Sequence, residues 1–498
     1  MKSLNYKTSF KHILGFASAT ALAAAAPLAG AQNFETYYGE APSSEVGQDI
    51  KSIRYCPNGG TILVGSRRDA TGTQAQVTRV DNNGVAMWQY AYSVANNAFT
   101  TANAVVELTP ASTTANGGFA ITGAVAVSGL SIYVLHISCE GRPLWTTILG
   151  NQSTLNRATG YDIIEATNPL GPVRNTELVV VGDEVIGNSI GTSHGRIARL
   201  NAATGGAIWN FAYIRNSTSQ AGLRFRAVTE SVGTAIAADL VVAGSAAAGQ
   251  NWANDRRALI FRTTWNGAPV CNNTLGRQDP INNDFYGIVE LAQPAFAGDD
   301  VLVGSMGGNA TGAVFPDQVY LGRFGATTCV PQVEALWRDP QDGAVAYDVA
   351  EDLIDPATRV TGIRATGTIQ NPVTAGDGFL LSANPITLGP FIAQFRYSTQ
   401  SGRHENLQAL DNKKDRYVML GSTLTDWDGV GDPSDFYMVQ TDPNGKTQCV
   451  REWIVEWTRA AEPQERFEQT IREMRWTSTQ TSLKQTRDEG YCCRLDPN

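Results

Sequence analysis

Residues 417–449 read YVMLGSTLTDWDGVGDPSDFYMVQTDPNGKTQC, and this stretch contains the plan of the whole fold. A short apolar strand ends at Gly421, a polar loop follows, and an alternating strand leads into an Asp-Pro-Asn-Gly turn that ends at Gly445. Such a turn joins adjacent antiparallel strands, because Asn and Gly accept positive φ angles. The stretch therefore predicts consecutive antiparallel strands connected by one loop and one tight turn.

Both glycines recur along the chain at intervals of about 60 residues, which indicates a repeat architecture. The strand-ending glycines are Gly65, Gly123, Gly182, Gly244, Gly304, Gly367 and Gly421. The turn glycines are Gly84, Gly141, Gly205, Gly267, Gly325, Gly389 and Gly445. Each unit is interpreted as four strands, A to D, and radial repetition of four-stranded antiparallel blades predicts an all-β protein, a β-propeller. A linear β-solenoid is the alternative, but its repeats are much shorter than these units.

The ends of the chain bear on how the ring closes. We predict a single propeller domain over residues 32–498, with seven complete units. Their approximate bounds are 47–96, 97–155, 156–218, 219–278, 279–338, 339–399 and 400–459. Residues 460–498 resemble strands A and C, and residues 32–40 resemble a strand D, so the two segments would form one closing blade split between the termini. Eight blades are therefore favoured, and seven blades with a C-terminal tail are the alternative.

Strand D carries aromatic residues at a fixed distance from the turn. Four residues after the turn glycine stand Trp88, Trp145 and Trp209 in three units, and Cys271, Cys329 and Cys449 in three others. Further aromatic residues follow at every second position in some units, as expected for one face of a strand. We predict that these side chains belong to the core between blades.

The repeat units resemble the glycine-rich propeller repeats of secreted bacterial proteins, and residues 417–449 show the resemblance best. The Gly-x-x-x-Trp element also looks like the tryptophan-docking element of quinoprotein propellers. The resemblance implies a propeller over nearly all of the chain after residue 31. It assigns no activity to particular residues, because propellers include lectins, lyases, dehydrogenases and scaffolds.

The first residues have the features of a secretory signal peptide. Lys2, Lys7 and Lys11 precede an apolar, alanine-rich run, and Ala29-Gly30-Ala31 fits a cleavage site, so we predict a signal peptide over residues 1–31 and a secreted or periplasmic protein. No later stretch reaches the roughly 18 apolar residues that a membrane-spanning helix needs. The net charge of −9 becomes about −12 without the three lysines, and no Lys/Arg cluster is present, which argues against a nucleic-acid partner.

Catalytic motifs are sparse in the sequence. Beyond the signal peptide only His136, His194 and His404 remain, without metal-ligand spacing, and there is no Gly-x-Ser-x-Gly elbow or phosphate-binding glycine loop. We therefore favour an exported, non-catalytic propeller that binds a glycan or a protein through its loop face. The alternatives are an enzyme of the quinoprotein or lyase kind and a structural cell-surface protein. The oligomeric state is not predicted.

Two loops contain candidate ligand-binding residues. The first has carboxylates between glycines, and hard carboxylate oxygens suit Ca²⁺, although an ordinary polar loop is the alternative. Its candidate metal ligands are Asp426, Asp428, Asp432 and Asp435. Aromatic side chains in polar loops suit contacts with sugars or peptides. The candidate ligand-binding residues are Trp427 in the first loop and Asn251, Trp252, Asp255 and Arg256 in the second.

Export would allow the cysteines to form disulfides. Cys56 lies in an A–B turn, and Cys139 lies in a C–D turn of the next unit on the same face of the ring. The predicted geometry therefore allows a bridge between them. Cys449 is predicted to be able to reach Cys492 or Cys493 in the closing blade. Cys271 and Cys329 have equivalent positions on adjacent blades, and we expect them to lie beyond the roughly 7 Å Cα separation that a disulfide allows.

Overall fold

The computed structural model describes a defined set of residues, to which every structural statement below refers. They are residues 33–39, 43–93, 99–110, 117–127, 129–150, 156–166, 177–186, 193–215, 222–231, 239–247, 256–276, 283–292, 296–310, 313–325, 327–338, 343–355, 360–370, 376–389, 393–397, 405–413, 416–423, 434–447, 458–459, 465–467, 471–475, 478–481, 484–487 and 491–494. No α-helix occurs in these ranges, and the repeated elements are strands.

The strands of the first half of the chain are β1 (Phe34–Gly39), β2 (Ser44–Ser52), β3 (Thr61–Asp69), β4 (Gly72–Val80), β5 (Ala86–Ser93), β6 (Thr100–Leu108), β7 (Gly118–Ala126), β8 (Leu130–Ile137), β9 (Pro143–Leu149), β10 (Arg157–Ala166), β11 (Glu177–Val185), β12 (Ser193–Asn201), β13 (Ala207–Arg215), β14 (Leu223–Ser231), β15 (Asp239–Ala247), β16 (Arg256–Thr264) and β17 (Pro269–Gly276).

The strands of the second half are β18 (Asn283–Glu290), β19 (Asp300–Ala310), β20 (Ala313–Phe324), β21 (Pro331–Arg338), β22 (Gly343–Asp355), β23 (Val360–Gln370), β24 (Asp377–Ala383), β25 (Ala393–Tyr397), β26 (Glu405–Lys413), β27 (Arg416–Thr423), β28 (Asp435–Gln440), β29 (Thr458–Arg459), β30 (Glu465–Phe467), β31 (Ile471–Arg475), β32 (Ser478–Thr481), β33 (Lys484–Arg487) and β34 (Tyr491–Arg494).

Seven four-stranded antiparallel sheets form from these strands, which confirms the predicted all-β propeller. Blades 1 to 6 are β2–β5, β6–β9, β10–β13, β14–β17, β18–β21 and β22–β25, and blade 7 is β26–β28 with β1. The first strand of each blade contacts the first strand of the next, from β2 through β6, β10, β14, β18, β22 and β26 and back to β2. These seven inner strands therefore surround a central channel.

Successive blades are held together by a contact that repeats around the ring. The C–D turn of each blade lies against strand D of the blade before it, and at four of the seven junctions between described residues a tyrosine hydroxyl donates to the turn-glycine carbonyl. Tyr92 Oη donates to Gly141 at 2.7 Å, and Tyr213 Oη donates to Gly267 at 2.7 Å. Trp88 Nε1 donates to the Cys139 carbonyl in the turn of blade 2 at 3.3 Å, and Trp145 Nε1 donates to the Ala202 carbonyl in the turn of blade 3 at 3.2 Å. The predicted role of the strand D tryptophans in the core between blades is thereby confirmed.

The ring closes through β1, and the preference for eight blades was wrong. Strand β1 pairs with β28 along its full length, from Phe34 opposite Gln440 to Tyr38 opposite Phe436, so it is strand D of blade 7. Tyr38 Oη donates to the turn carbonyl of Gly84 in blade 1 at 2.7 Å, as the equivalent tyrosines do elsewhere. The sequence comparison recognised residues 32–40 as a strand D but assigned them to the wrong blade, and the described residues form the seven-bladed alternative.

The C-terminal strands β29–β34, here called the perimeter belt, add a fifth strand outside the blades. They pair antiparallel with β21, β17, β13, β9, β5 and β1, in that order. The belt thus runs past blades 5, 4, 3, 2, 1 and 7, against the order in which the chain builds them. The predicted pairing of the two terminal segments is present, since Tyr37 lies opposite Cys493, but it forms on the outer edge of blade 7.

Two disulfides cross between neighbouring blades. Cys56 in the A–B turn of blade 1 is bonded to Cys139 in the C–D turn of blade 2, with Cα atoms 5.6 Å apart. Cys271 on β17 is bonded to Cys329, with Cα atoms 6.0 Å apart, so the expectation that this pair is too distant was wrong. Strand β21 begins only at Pro331, so Cys329 lies in the C–D turn that rests on β17. Cys449 and the side chains of Cys492 and Cys493 lie outside what the structure describes.

Candidate functional site: the central channel

Each inner strand has a β-bulge at the same position. In all seven blades the register of strand A against strand B shifts by one residue next to the recurring glycine of strand B, which lies inside that strand rather than at its end. A bulge leaves one residue unpaired and redirects its side chain. The bulged residues, in blade order, are Gln48, Asn103, Tyr161, Arg226, Tyr286, Tyr347 and Gln408.

All seven bulged residues line one cavity on the axis of the ring. Its volume is about 1020 Å³, and every blade contributes to its wall. Small-molecule sites generally have volumes of about 300–1,000 Å³, so the channel is large enough for a ligand of that size. Because the bulged side chains come from one position of each repeat, they form a ring at one level of the channel.

Four consecutive bulged residues form a continuous aromatic and cationic surface, which we call the tyrosine–arginine arc: Tyr161, Arg226, Tyr286 and Tyr347. The guanidinium carbon of Arg226 lies 4.2 Å from the centroid of the Tyr161 ring and 5.6 Å from that of Tyr286. The rings of Tyr286 and Tyr347 meet edge to face, with centroids 5.1 Å apart. Burial raises the pKa of Tyr161 and of Tyr286, so both hydroxyls are protonated at neutral pH.

Arg226 differs from the arginines around it. Arg224 Nε lies 2.7 Å from Asp183 Oδ2, and Arg256 Nη2 lies 2.8 Å from Asp284 Oδ2. Across the described part of the chain, no ion pair involves Arg226, and its buried Nε has no hydrogen-bond acceptor. The guanidinium of Arg226 instead contacts the rings of Tyr161 and Tyr286. A guanidinium that faces a cavity without a carboxylate partner is available to an incoming ligand.

Three carboxylates lie one residue beyond the bulges and hold neighbouring blades together. Asp162 accepts from the main-chain N–H of Ile163 and of Val228 in the next blade, each at 2.8 Å. Asp49 makes the same pair of bonds to Ile50 and Val105, and Asp348 to Val349 and Leu410. Amides freed by the bulges are satisfied in this way. The geometry assigns these carboxylates a role between blades.

The side chains near the residues that follow the bulges carry both negative and positive charge. Burial raises the pKa of Asp162 to about 6 and of Asp348 to about 7, although Lys51 and the main-chain N–H groups oppose the rise. Lys51 Nζ lies 3.2 Å from Asp49 Oδ1. Burial lowers the pKa of Lys51, but the surrounding carboxylates, Asp49 foremost, outweigh burial and raise it above its ordinary value. Lys51 therefore stays charged among aspartates.

A second set of carboxylates caps the A–B turns. Glu107 in blade 2 accepts from the main-chain N–H of Arg54, Tyr55 and Cys56 in blade 1, at 2.6 to 2.8 Å. Glu351 in blade 6 accepts from Ala292 in blade 5 at 2.7 Å. Glu351 and Ala292 both line the channel wall, so the Glu351 carboxylate that faces the channel also connects two blades.

The sequence-predicted site residues fall mostly outside the described ranges. Those outside are Asn251, Trp252, Asp255, Asp426, Trp427, Asp428 and Asp432. Arg256 begins β16 and pairs with Asp284, the residue two before Tyr286. Asp435 begins β28, opposite Thr423. Among the residues with described positions, no three His, Cys, Asp or Glu side chains are grouped as a metal site.

Sequence reasoning missed the tyrosine–arginine arc, although a signal for it was present. Tyr161, Arg226, Tyr286 and Tyr347 each stand directly before the aspartate, alanine or glycine that continues strand A. Strict alternation places such residues on one face of a flat strand. The bulge breaks that alternation, and the register shift that produces it is not visible in a single sequence, so the shared position of these residues in the repeat was the available signal.

The fold and the channel define a seven-bladed β-propeller with a ligand-sized axial cavity. No protein-family model matches the chain, and no curated protein matches it. One similar solved structure is the α-L-arabinofuranosidase Arb93A from Fusarium graminearum in complex with an iminosugar inhibitor, at 10% identity and a TM-score of 0.37, covering 64% of this chain and 91% of that chain. Another is the endosialidase of phage phi92, at 12% identity and a TM-score of 0.35, covering 87% of this chain and 72% of that chain.

Proposed function

We propose that this protein is an exported propeller that binds a carbohydrate in its central channel, against the tyrosine–arginine arc. The observation that carries the proposal is the arc itself: Tyr161, Arg226, Tyr286 and Tyr347 occupy one position in four consecutive blades and line the 1020 Å³ cavity. Buried ligand sites combine apolar and aromatic walls with a few placed polar groups. The arc has this composition.

The chemistry of the arc suits a sugar. The C–H groups on the face of a sugar ring pack on the electron-rich face of an aromatic ring, while hydroxyl groups need donors and acceptors around them. Tyr286 and Tyr347 supply adjacent rings 5.1 Å apart. Arg226 donates, and the amides of Gln48 and Gln408 on the opposite side of the same ring both donate and accept.

This proposal moves the binding surface from the loops to the channel and retains part of the predicted loop. Arg256 pairs with Asp284 and acts electrostatically on Tyr286, so the chain that begins β16 approaches the arc. Ligand binding by Asn251, Trp252 and Asp255, which precede Arg256 in sequence, stays a prediction. Calcium binding by Asp426, Asp428, Asp432 and Asp435 stays a prediction, as does a contact of Trp427 with ligand.

Export is proposed from two independent features. The sequence of residues 1–31 has the basic head, apolar run and small-residue cleavage site of a signal peptide. The two inter-blade disulfides fit an oxidising compartment. The described residues include no helix with the length and apolarity to cross a membrane.

Isothermal titration of the mature protein against a panel of oligosaccharides tests the function. We expect at least one saccharide to bind, and we expect Tyr286→Ala and Tyr347→Ala each to weaken its binding by about tenfold or more, because each removes a ring that the sugar would cover. Tyr55→Ala is the matched control, since Tyr55 is exposed and lies outside the channel wall. Absence of saccharide binding, or equal affinity of the arc variants and wild type, would contradict the proposal.

A further inference from the structure

We infer that the carbohydrate carries an acidic group, and that Arg226 holds that group; the inference rests on the proposed function. The starting observation is the state of Arg226 within the arc. Its Nε is buried without a hydrogen-bond acceptor in the described residues, while the side chain lines the cavity. A buried donor without an acceptor lowers stability, because its hydrogen bonds to water are lost and not replaced. A ligand oxygen at this position would satisfy it.

The neighbouring arginines show what is missing at Arg226. Arg224, two residues before Arg226 on β14, forms an ion pair with Asp183. Arg256, on β16 of the same blade, forms an ion pair with Asp284. The charges of Arg224 and Arg256 are therefore balanced by carboxylates of the protein itself. Arg226 instead has aromatic rings where the other two have carboxylates. Within the described residues, the positive charge that remains at the arc is therefore that of Arg226.

The two tyrosine rings prepare the guanidinium for an anion. The guanidinium carbon lies 4.2 Å from the centroid of Tyr161, at the distance of a cation–π contact, and the second ring, Tyr286, restrains it further. The Nε atom of Arg226 is buried, and an interaction with an opposite charge is stronger where water is excluded. A planar guanidinium held in this way pairs with a carboxylate through two parallel hydrogen bonds.

The charges one residue beyond the bulges bear on where the acidic group of the ligand lies. Asp49, Asp162 and Asp348 lie one residue beyond the bulges, and Lys51 is already paired with Asp49. An acidic group at that level would meet carboxylates. At the arc it would meet Arg226, so the acidic group should stay at the arc while hydroxyl-bearing parts of the ligand extend along the channel.

Matched acidic and neutral saccharides test this inference by isothermal titration. The pairs are trigalacturonate with its carboxyl-reduced neutral form, and sialyllactose with lactose; a sulfated lactose distinguishes carboxylate from sulfate. We expect the acidic member to bind about 10- to 100-fold more tightly than its neutral partner, as a charge-assisted bond provides. Arg226→Met should abolish this preference, and Arg226→Lys should keep part of it.

Arg54→Met is the matched control, because Arg54 also lines the cavity but is exposed and lies at the A–B turn of blade 1. It removes the same charge from the channel without touching the arc. Neutral members that bind as tightly as acidic ones, or an equal loss of preference in Arg54→Met, would overturn the inference while leaving carbohydrate binding intact. Failure of every saccharide to bind would instead overturn the proposed function, and the inference with it.

Discussion

The recurring glycines of strand B and the bulges of strand A belong to one local arrangement. In each blade the glycine of strand B lies opposite the residue that precedes the bulge, as Gly244 lies opposite Phe225. A Cβ on Gly244 would collide with the main-chain carbonyl oxygen of Arg224. The equivalent glycines meet an equivalent carbonyl oxygen in every blade. Glycine therefore lets strands A and B approach closely enough for the bulge to form, and the bulge turns one side chain into the channel.

Gly244→Ala should accordingly destabilise blade 4 and displace Arg226. We expect the free energy of unfolding to fall by about 1–3 kcal/mol, because the added methyl group overpacks a site bounded by main chain. Urea unfolding measures the loss. Gly206→Ala is the control, since a Cβ there has its nearest contact at 3.4 Å, with Thr204 Oγ1, and should be tolerated. Equal stability of the two variants would contradict this account of the glycines.

The sequence revealed these glycines but not their purpose. Their spacing located a strand B in each of the seven blades, but the prediction that these glycines end the strand was wrong, because every strand B continues for at least two residues beyond its glycine. Whether a glycine serves a turn, a close approach or a bulge depends on the partner strand, and a single sequence does not contain the register. For that reason the sequence does not distinguish Tyr161 and Arg226 from other strand residues, and the functional prediction rests on the loop aromatic residues Trp252 and Trp427.

At the scale of elements, the contact between a C–D turn and the preceding strand D connects one blade to the next. The Cys271–Cys329 disulfide belongs to this contact, and Asn273 Nδ2 donates to the Cys329 carbonyl at 3.0 Å beside it. Counting four residues from Gly325 placed Cys329 on strand D. Because the turn of blade 5 is longer, Cys329 lies in the turn and not on strand D. The length of one turn cannot be inferred from other repeats when the turns differ in length.

Removal of this bridge should loosen blades 4 and 5. The double variant Cys271→Ser with Cys329→Ser should lose about 2–4 kcal/mol of stability, since the bridge closes a loop with a sequence separation of 58 residues. Urea unfolding with and without reductant measures this difference, and the double variant should respond less to reductant than wild type. Peptide mapping without reduction should recover the Cys271–Cys329 and Cys56–Cys139 peptides; recovery of other pairings would contradict the geometry.

At the scale of the whole molecule, β1 completes the ring. Phe34 and Tyr38 pack with Leu63 of blade 1 and Phe436 of blade 7 in one apolar cluster, so β1 closes both a sheet and a core. The repeat pattern predicted the blades and a terminal strand D, yet it could not select the blade that β1 joins. Pairing of strands far apart in sequence depends on which edge is open when the ring closes.

Deletion of residues 33–39 should therefore open the ring, lower the midpoint of thermal unfolding and promote aggregation through the exposed edge of β28. A synthetic peptide of residues 32–41 should restore the midpoint by adding the missing strand, whereas a Tyr38→Asp peptide should not. Deletion of the perimeter belt, residues 458–498, should cost less, because its short strands only border complete blades. A larger loss from the belt deletion than from the β1 deletion would refute this ranking.

The pairing of β1 with β28 also has a consequence for the order of assembly. Tyr437 Oη donates to Glu35 Oε2 across a separation of 402 residues, so the earliest strand of the propeller reaches its place only after the last blade exists. Contacts this distant slow folding, and the intermediates that precede them expose apolar surface. Phe34 to Gly39 lack their partner strand until β28 is in place, so we expect the delay before closure to be the period in which the folding chain is most prone to aggregation.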